Sequence, residues 1–87
     1  MNIEPFEPAP PVAINHPMAD SISIQDHPYA YAGRGHVEIA FFSNGEWVTD
    51  IIEEFADYTH PEPDGDTRVY AYVPVALLDP FLEKYRA

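Results

Sequence analysis

Cysteine is absent from these 87 residues, which excludes disulfide staples, thiolate zinc sites and a cysteine nucleophile. Basic residues are almost as scarce: Arg34, Arg68, Lys84 and Arg86 stand against fifteen acids, for a formal net charge of −11. A field of that sign repels phosphate backbones, so direct nucleic-acid binding is disfavoured and a basic protein partner favoured. The same charge also serves solubility. No apolar run approaches the roughly 20 residues of a membrane span. The first residues, "MNIEPFEPAP", lack the basic and apolar segments of a signal peptide. The expectation is a soluble intracellular protein with no membrane partner. A chain this short buries only about 60–65% of its extended surface and supports one core, which argues against a deep, enclosed active site.

What is present is enough to fold. Hydrophobic residues make up 46% of the chain, with five Phe, six Tyr and Trp47, too apolar for a disordered acidic chain. Residues 1–17 hold five of the ten prolines, each removing a backbone donor and biasing its predecessor towards extended geometry. They predict an extended arm with little hydrogen-bonded structure, Phe6, Val12 and Ile14 pinning it across a single domain at 18–87. "SISIQ" alternates as a short strand with Ile22 and Ile24 inward, and Gly33-Arg34-Gly35 reads as a turn. The clearest signal is Asn44-Gly45 between two β-prone runs, the composition of a type I′ hairpin turn. A two-residue loop sets the register: Phe42 opposite Trp47, Phe41 opposite Val48, and so on across residues 36–51. Val37, Ile39, Phe41 and Val48 then face the core, while Glu38, Ala40, Phe42, Trp47 and Thr49 share the other face.

Asp50-x-x-Glu53 has capping-box spacing and predicts a short helix through "IIEEFADY" with Ile51, Ile52, Phe55 and Tyr58 on one side. "TRVYAYV" alternates as a strand, Val69, Ala71 and Val73 opposing Tyr70 and Tyr72. Pro74 suits a first helical turn and Asp79-Pro80 repeats a cap-plus-proline pattern, so "PVALLDPFLEKY" reads as two helical pieces or one broken helix. The class is α+β: a small antiparallel sheet of three or four strands with an Asn-Gly hairpin, packed against a carboxyl-terminal helix.

Few motifs carry chemistry. A calcium loop begun at Glu62 would place Thr67 and Val73 where glycine and glutamate are required, and one begun at Asp64 puts Arg68 among the ligands. His16, His27 and His60 each precede proline, far apart in sequence and without the i, i+4 spacing of a zincin. No metal or other cofactor is expected. Ser21, Ser23 and Ser43 lack a nucleophile elbow, and no catalytic residue is assigned; the expectation is a protein that is not an enzyme.

The distribution of charge is more telling. From Glu38 to Asp66 run nine acids with no Lys or Arg: Glu38, Glu46, Asp50, Glu53, Glu54, Asp57, Glu62, Asp64 and Asp66. With Phe42, Trp47, Tyr58 and Tyr70 interleaved as contact anchors, this segment is the candidate binding surface for a basic partner. Each carboxylate also has a plain reading as part of a solvated face.

The chain resembles the small acidic accessory proteins of bacteriophages and other mobile elements, inhibitors of CRISPR systems among them: short, cysteine-free, acidic, without catalytic motifs and α+β in pattern. "NGEWVT" and "DTRVYAYVPV" are similar to stretches of small hypothetical phage proteins. The resemblance implies a protein ligand, monomeric or dimeric, that works in the cytoplasm of a bacterial host and blocks a basic nucleic-acid channel or an assembly surface, in some cases by mimicking nucleic acid. It transfers no residue. A virion structural or assembly protein and an antitoxin-like regulatory adaptor are the alternatives.

Overall fold

The structure, a computed structural model, describes residues 11–25 and 35–87. One antiparallel sheet carries the fold, in which β1 (Val12–His16), β2 (Ala19–Gln25) and β3 (His36–Ser43) lie side by side. The far edge of β3 is shared by two short strands, β4 (Glu46–Trp47) at one end and β5 (Tyr70–Pro74) at the other. Helix α1 (Val75–Tyr85) follows β5 directly, and a 3₁₀ segment (Glu53–Tyr58) lies between β4 and β5. The α+β arrangement is as the sequence predicts, with five strands in place of three or four.

The hairpin turn forms as its composition requires. Asn44 and Gly45 both take positive φ, 53° and 81°, the mirror-image turn whose twist matches its strands. Phe42 pairs with Trp47 and Ser43 with Glu46. The pairing is shorter than predicted: beyond Trp47 the last rung is the Val48 N–H donating to the Phe41 carbonyl at 2.9 Å. Further along β3, Ile39 pairs with Tyr70 of β5 instead of Asp50.

Residues 12–16 overturn the expectation of an unpaired arm. Val12 lies opposite Ile22 and Ala13 opposite Ser21, and Ile14 is buried in the core. The prolines flank this run at Pro11 and Pro17 and leave Val12–His16 free to donate. The ordered unit therefore begins before residue 18. Residues 1–10, with Phe6, and 26–34, with His27, Arg34 and most of the predicted Gly-Arg-Gly turn, lie outside the described residues.

Alternation on β2 and β3 builds the core: Ile22, Val37, Ile39 and Phe41 are buried on one face, and Ile24 and Val48 pack against them. On the opposite face Ala40 and its cross-strand neighbour Ser23 are also buried, so that face is not a uniformly open surface. Over the core face sits an aromatic cluster. Phe81 of α1 meets Phe55 at 4.9 Å and Phe41 at 5.8 Å, and Phe41 stands edge-on to Tyr70 at 5.4 Å. Each such ring contributes about 1.5–3 kcal/mol by burial, with edge-to-face geometry adding to it.

Two helical expectations need correction. Asp50 makes no cap: Ile52 is the N-cap of the 3₁₀ segment, and its own side chain makes no capping hydrogen bond. Tertiary contact overrides the capping box, because the Ile52 N–H donates to the Tyr70 hydroxyl at 2.9 Å and fixes the start of the segment. Ile52 and Phe55 are buried, Tyr58 packs against the core, and Ile51 is half-buried. The carboxyl-terminal helix runs unbroken through Pro80, with Pro74 as its N-cap. An interior proline costs up to about 3 kcal/mol by removing one helical hydrogen bond. The carbonyl it orphans belongs to exposed Ala76, open to solvent, and the stripe Leu78, Phe81, Leu82 and Tyr85 holds the helix on the sheet.

Candidate functional site

The acidic segment is held by three pieces of local structure. The first is the hairpin tip, where the Asn44 N–H donates to the Asp20 carboxylate at 2.9 Å. That bond braces the turn from β2 and leaves Glu46 exposed. Phe42 and Trp47 meet across the strand pair in a tilted contact, ring centroids 4.9 Å apart and planes inclined at 54°, both half-buried. Glu38 is half-buried in mid-strand opposite Gln25.

The second piece is the loop Thr59–Thr67. Asp64 and Thr67 exchange backbone hydrogen bonds at 3.0 and 3.1 Å around Gly65, whose φ is 62°, and the Thr67 hydroxyl donates to the Asp64 carbonyl. This closes a tight turn with Glu62, Asp64 and Asp66 all exposed. Its anchor is Arg68, only 4% exposed. The guanidinium donates to the carbonyls of Thr49, His60 and Pro61 and to the Thr59 hydroxyl. A buried charge is tolerated when its donors are satisfied, and here backbone dipoles do so. The consequence for the surface is electrostatic: the base nearest the acidic segment in sequence is withdrawn into the fold.

The third piece is the 3₁₀ segment, on which Glu53 and Asp57 are exposed, as is Asp50 before it. Glu54 behaves differently. Its carboxylate lies 3.2 Å from His16 Nε2, and the His16 side chain is only 6% exposed between Phe81 and Tyr85. The Met18 N–H donates to His16 Nδ1 at 3.0 Å, which places the ring proton on Nε2, facing Glu54. Burial pushes the Glu54 carboxyl up, but hydrogen bonds from its own N–H, His16 and Tyr85 outweigh it and hold the group below the ordinary carboxylate range. With both ring nitrogens engaged, His16 joins β1, the 3₁₀ segment and α1. Among the described residues no three His, Asp or Glu converge as metal ligands, and no helix is long and apolar enough to cross a membrane.

Comparison with protein-family models, curated proteins and solved structures finds no match.

The geometry sorts the predicted site residues. Glu46 and Trp47 from the hairpin and Asp66 from the loop line one open groove with Gly45 and Thr49. Glu62 and Asp64 flank a smaller cleft beside Arg68. Glu54 stays exposed but is paired with His16. Tyr70, expected as a contact anchor, is fully buried. Its burial pushes the phenol pKa up, against the Ile52 hydrogen bond and the nearby charge of Arg68. Among the described residues the exposed aromatic is Tyr72, 48% exposed with φ at 58°. Ala71 and Tyr72 together oppose Glu38, a bulge between the Val37–Val73 and Ile39–Tyr70 pairs, so the strict alternation expected of "TRVYAYV" fails at this point. A bulky residue in left-handed backbone is a true outlier.

Proposed function

We propose that this protein is a stoichiometric ligand of a basic protein surface, one that normally handles nucleic acid, and that by occupying it the protein excludes the nucleic acid. The observation that carries this reading is the fate of charge along residues 38–68. Glu46, Asp50, Glu53, Asp57, Glu62, Asp64 and Asp66 are exposed, while Arg68 is turned inward onto carbonyl oxygens. Exposed carboxylates without interspersed base attract a cationic surface and repel other acidic proteins. The Phe42–Trp47 pair supplies apolar area within the same segment, of the kind that dominates interface energetics. The resemblance to phage-borne inhibitors makes a host-defence protein in the bacterial cytoplasm the target class. Binding and not catalysis is assigned.

The test is kinetic. Against a nucleic-acid-binding protein captured by this chain, association should approach the steered range of about 10⁸ to 10⁹ M⁻¹s⁻¹ at low salt and fall steeply as salt is added. Neutralising Glu53, Asp57 and Glu62 together should slow association with little change in dissociation. Association as fast as the parent's at low salt would overturn the assignment of this segment as the steering surface.

A further inference from the structure

The groove between hairpin and loop has a more specific chemistry than the surface around it. It is open, about 460 Å³ in volume, and lined by Gly45, Glu46, Trp47, Thr49 and Asp66. Two exposed carboxylates alone would be an ordinary solvated pair. Here they come from segments 20 residues apart in sequence and line the same groove as half-buried Trp47, the chain's single tryptophan. Both approaches are braced: the hairpin tip by Asp20, and the loop by its own turn bonds and by Arg68. Arg68 also holds the Thr49 carbonyl, so the groove's lining residue Thr49 is tied to the anchor of the loop that carries Asp66. A site with little ordering left to do loses less on binding.

An aromatic face beside carboxylates fits a planar cation. A guanidinium stacks on indole, offers paired donors to a carboxylate and is less strongly hydrated than an ammonium. We infer that this groove is the seat for an arginine side chain presented by the partner, with Trp47 as the stacking wall and Glu46 and Asp66 as the acceptors. Its openness suits a side chain carried in on a protein surface, not an engulfed small molecule. The inference rests on the reading of the acidic segment as a ligand for a basic surface, and adds that one arginine docks at one place.

Trp47 is the single tryptophan and so reports on its own site. The experiment titrates the intact chain with a capped peptide of alternating arginine and glycine, and with its lysine and citrulline counterparts, following indole fluorescence and the Trp47 indole N–H resonance. The arginine peptide should give a saturable change, the lysine peptide a weaker one, and the citrulline peptide, isosteric but uncharged, none. Asp66→Asn and Glu46→Gln should each weaken the arginine response about two- to fivefold, whereas Asp79→Asn, exposed on α1 and outside both the groove and the acidic segment, should leave it within about 1.5-fold once salt screens distant charge. Thermal melts of each variant verify folding, and Trp47→Phe, followed through the Gly45 amide, should weaken binding without abolishing it. Equal effects of Asp79→Asn and Asp66→Asn, or equal responses to arginine and citrulline, would overturn the groove. The titration needs no natural partner. Peptide failure alongside nucleic-acid exclusion removes the groove and leaves the surface reading, and peptide binding without exclusion does the reverse.

Discussion

Replacing Arg68 with methionine keeps most of the aliphatic stem and removes the guanidinium, which isolates the part of loop stability due to its hydrogen bonds. Four acceptors lose a charged donor: the carbonyls of Thr49, His60 and Pro61 and the hydroxyl of Thr59. At roughly 1.5–3 kcal/mol for a bond to a charged group, simple addition would give more than half the stability of many small domains. Two effects reduce it. Desolvating the guanidinium costs several kcal/mol that the variant no longer bears, and His60 and Pro61 are exposed, so their carbonyls rehydrate. The net loss should be about 2–3 kcal/mol, concentrated on Thr49 and Thr59, against a total of about 4–13 kcal/mol for a chain of this length. Such a loss lowers the melting temperature by about 10–20 °C. Urea denaturation monitored by Trp47 measures it, and hydrogen exchange at the Thr67 amide, bonded to the Asp64 carbonyl, should accelerate beyond the global change. Arg68→Lys should recover only part of the loss, because one ammonium cannot span the donor directions of the fork. A methionine variant within about 0.5 kcal/mol of the parent, the scale of an ordinary surface change, or a lysine variant equal to it, would refute the loop-anchor role.

The remaining predictions concern titration and the bulge. Glu54 is held below its ordinary pKa, so its contribution is present above the unfolded value of about 4.3 and lost as pH falls through the folded value; Glu54→Gln should flatten that acid limb, and an unchanged limb would contradict it. Tyr70 is shifted up, so its contribution is complete below about pH 10 and is lost as pH rises through the folded value; Tyr70→Phe should remove that alkaline loss while sacrificing the Ile52 bond at all pH. Tyr72→Gly relieves a left-handed backbone worth about 1–2 kcal/mol and gives up a side chain that is nearly half exposed. Its melting point should stay close to the parent's or exceed it, whereas Tyr70→Ala should cost about 3–5 kcal/mol. Equal losses at the two tyrosines would show that the bulge is misplaced.

Local rules were legible in the sequence and long-range competition was not. Asn44-Gly45 fixes its turn through φ preferences of two adjacent residues, and the period of two in β2 and β3 separates Ile22, Ile39 and Phe41 from their neighbours with no outside help. The length of β4 depends on something else: β5 takes the remaining edge of β3, and that pairing inserts the bulge which buries Tyr70 and expels Tyr72. Neither outcome is encoded within "TRVYAYV" itself. At Val12–His16 the prolines only flank the strand, and their loss of a backbone donor does not reach the residues between them. Asp50 lost its capping role to a hydroxyl 20 positions away. Within the candidate site the acidic composition was plain, but two facts about it required coordinates: that Arg68 is internal, and that Glu46, Trp47 and Asp66 meet.

The central claim is that the acidic segment displaces nucleic acid from a basic partner, and competition on one purified partner tests it most directly. Labelled nucleic acid is pre-bound to that partner, the intact chain is added at fixed low salt, and fluorescence anisotropy follows the label. Loss of bound nucleic acid in step with one-to-one occupancy, weakened by neutralising Glu53, Asp57 and Glu62, is the predicted result. A stable ternary complex that keeps its nucleic acid at saturating protein would contradict it.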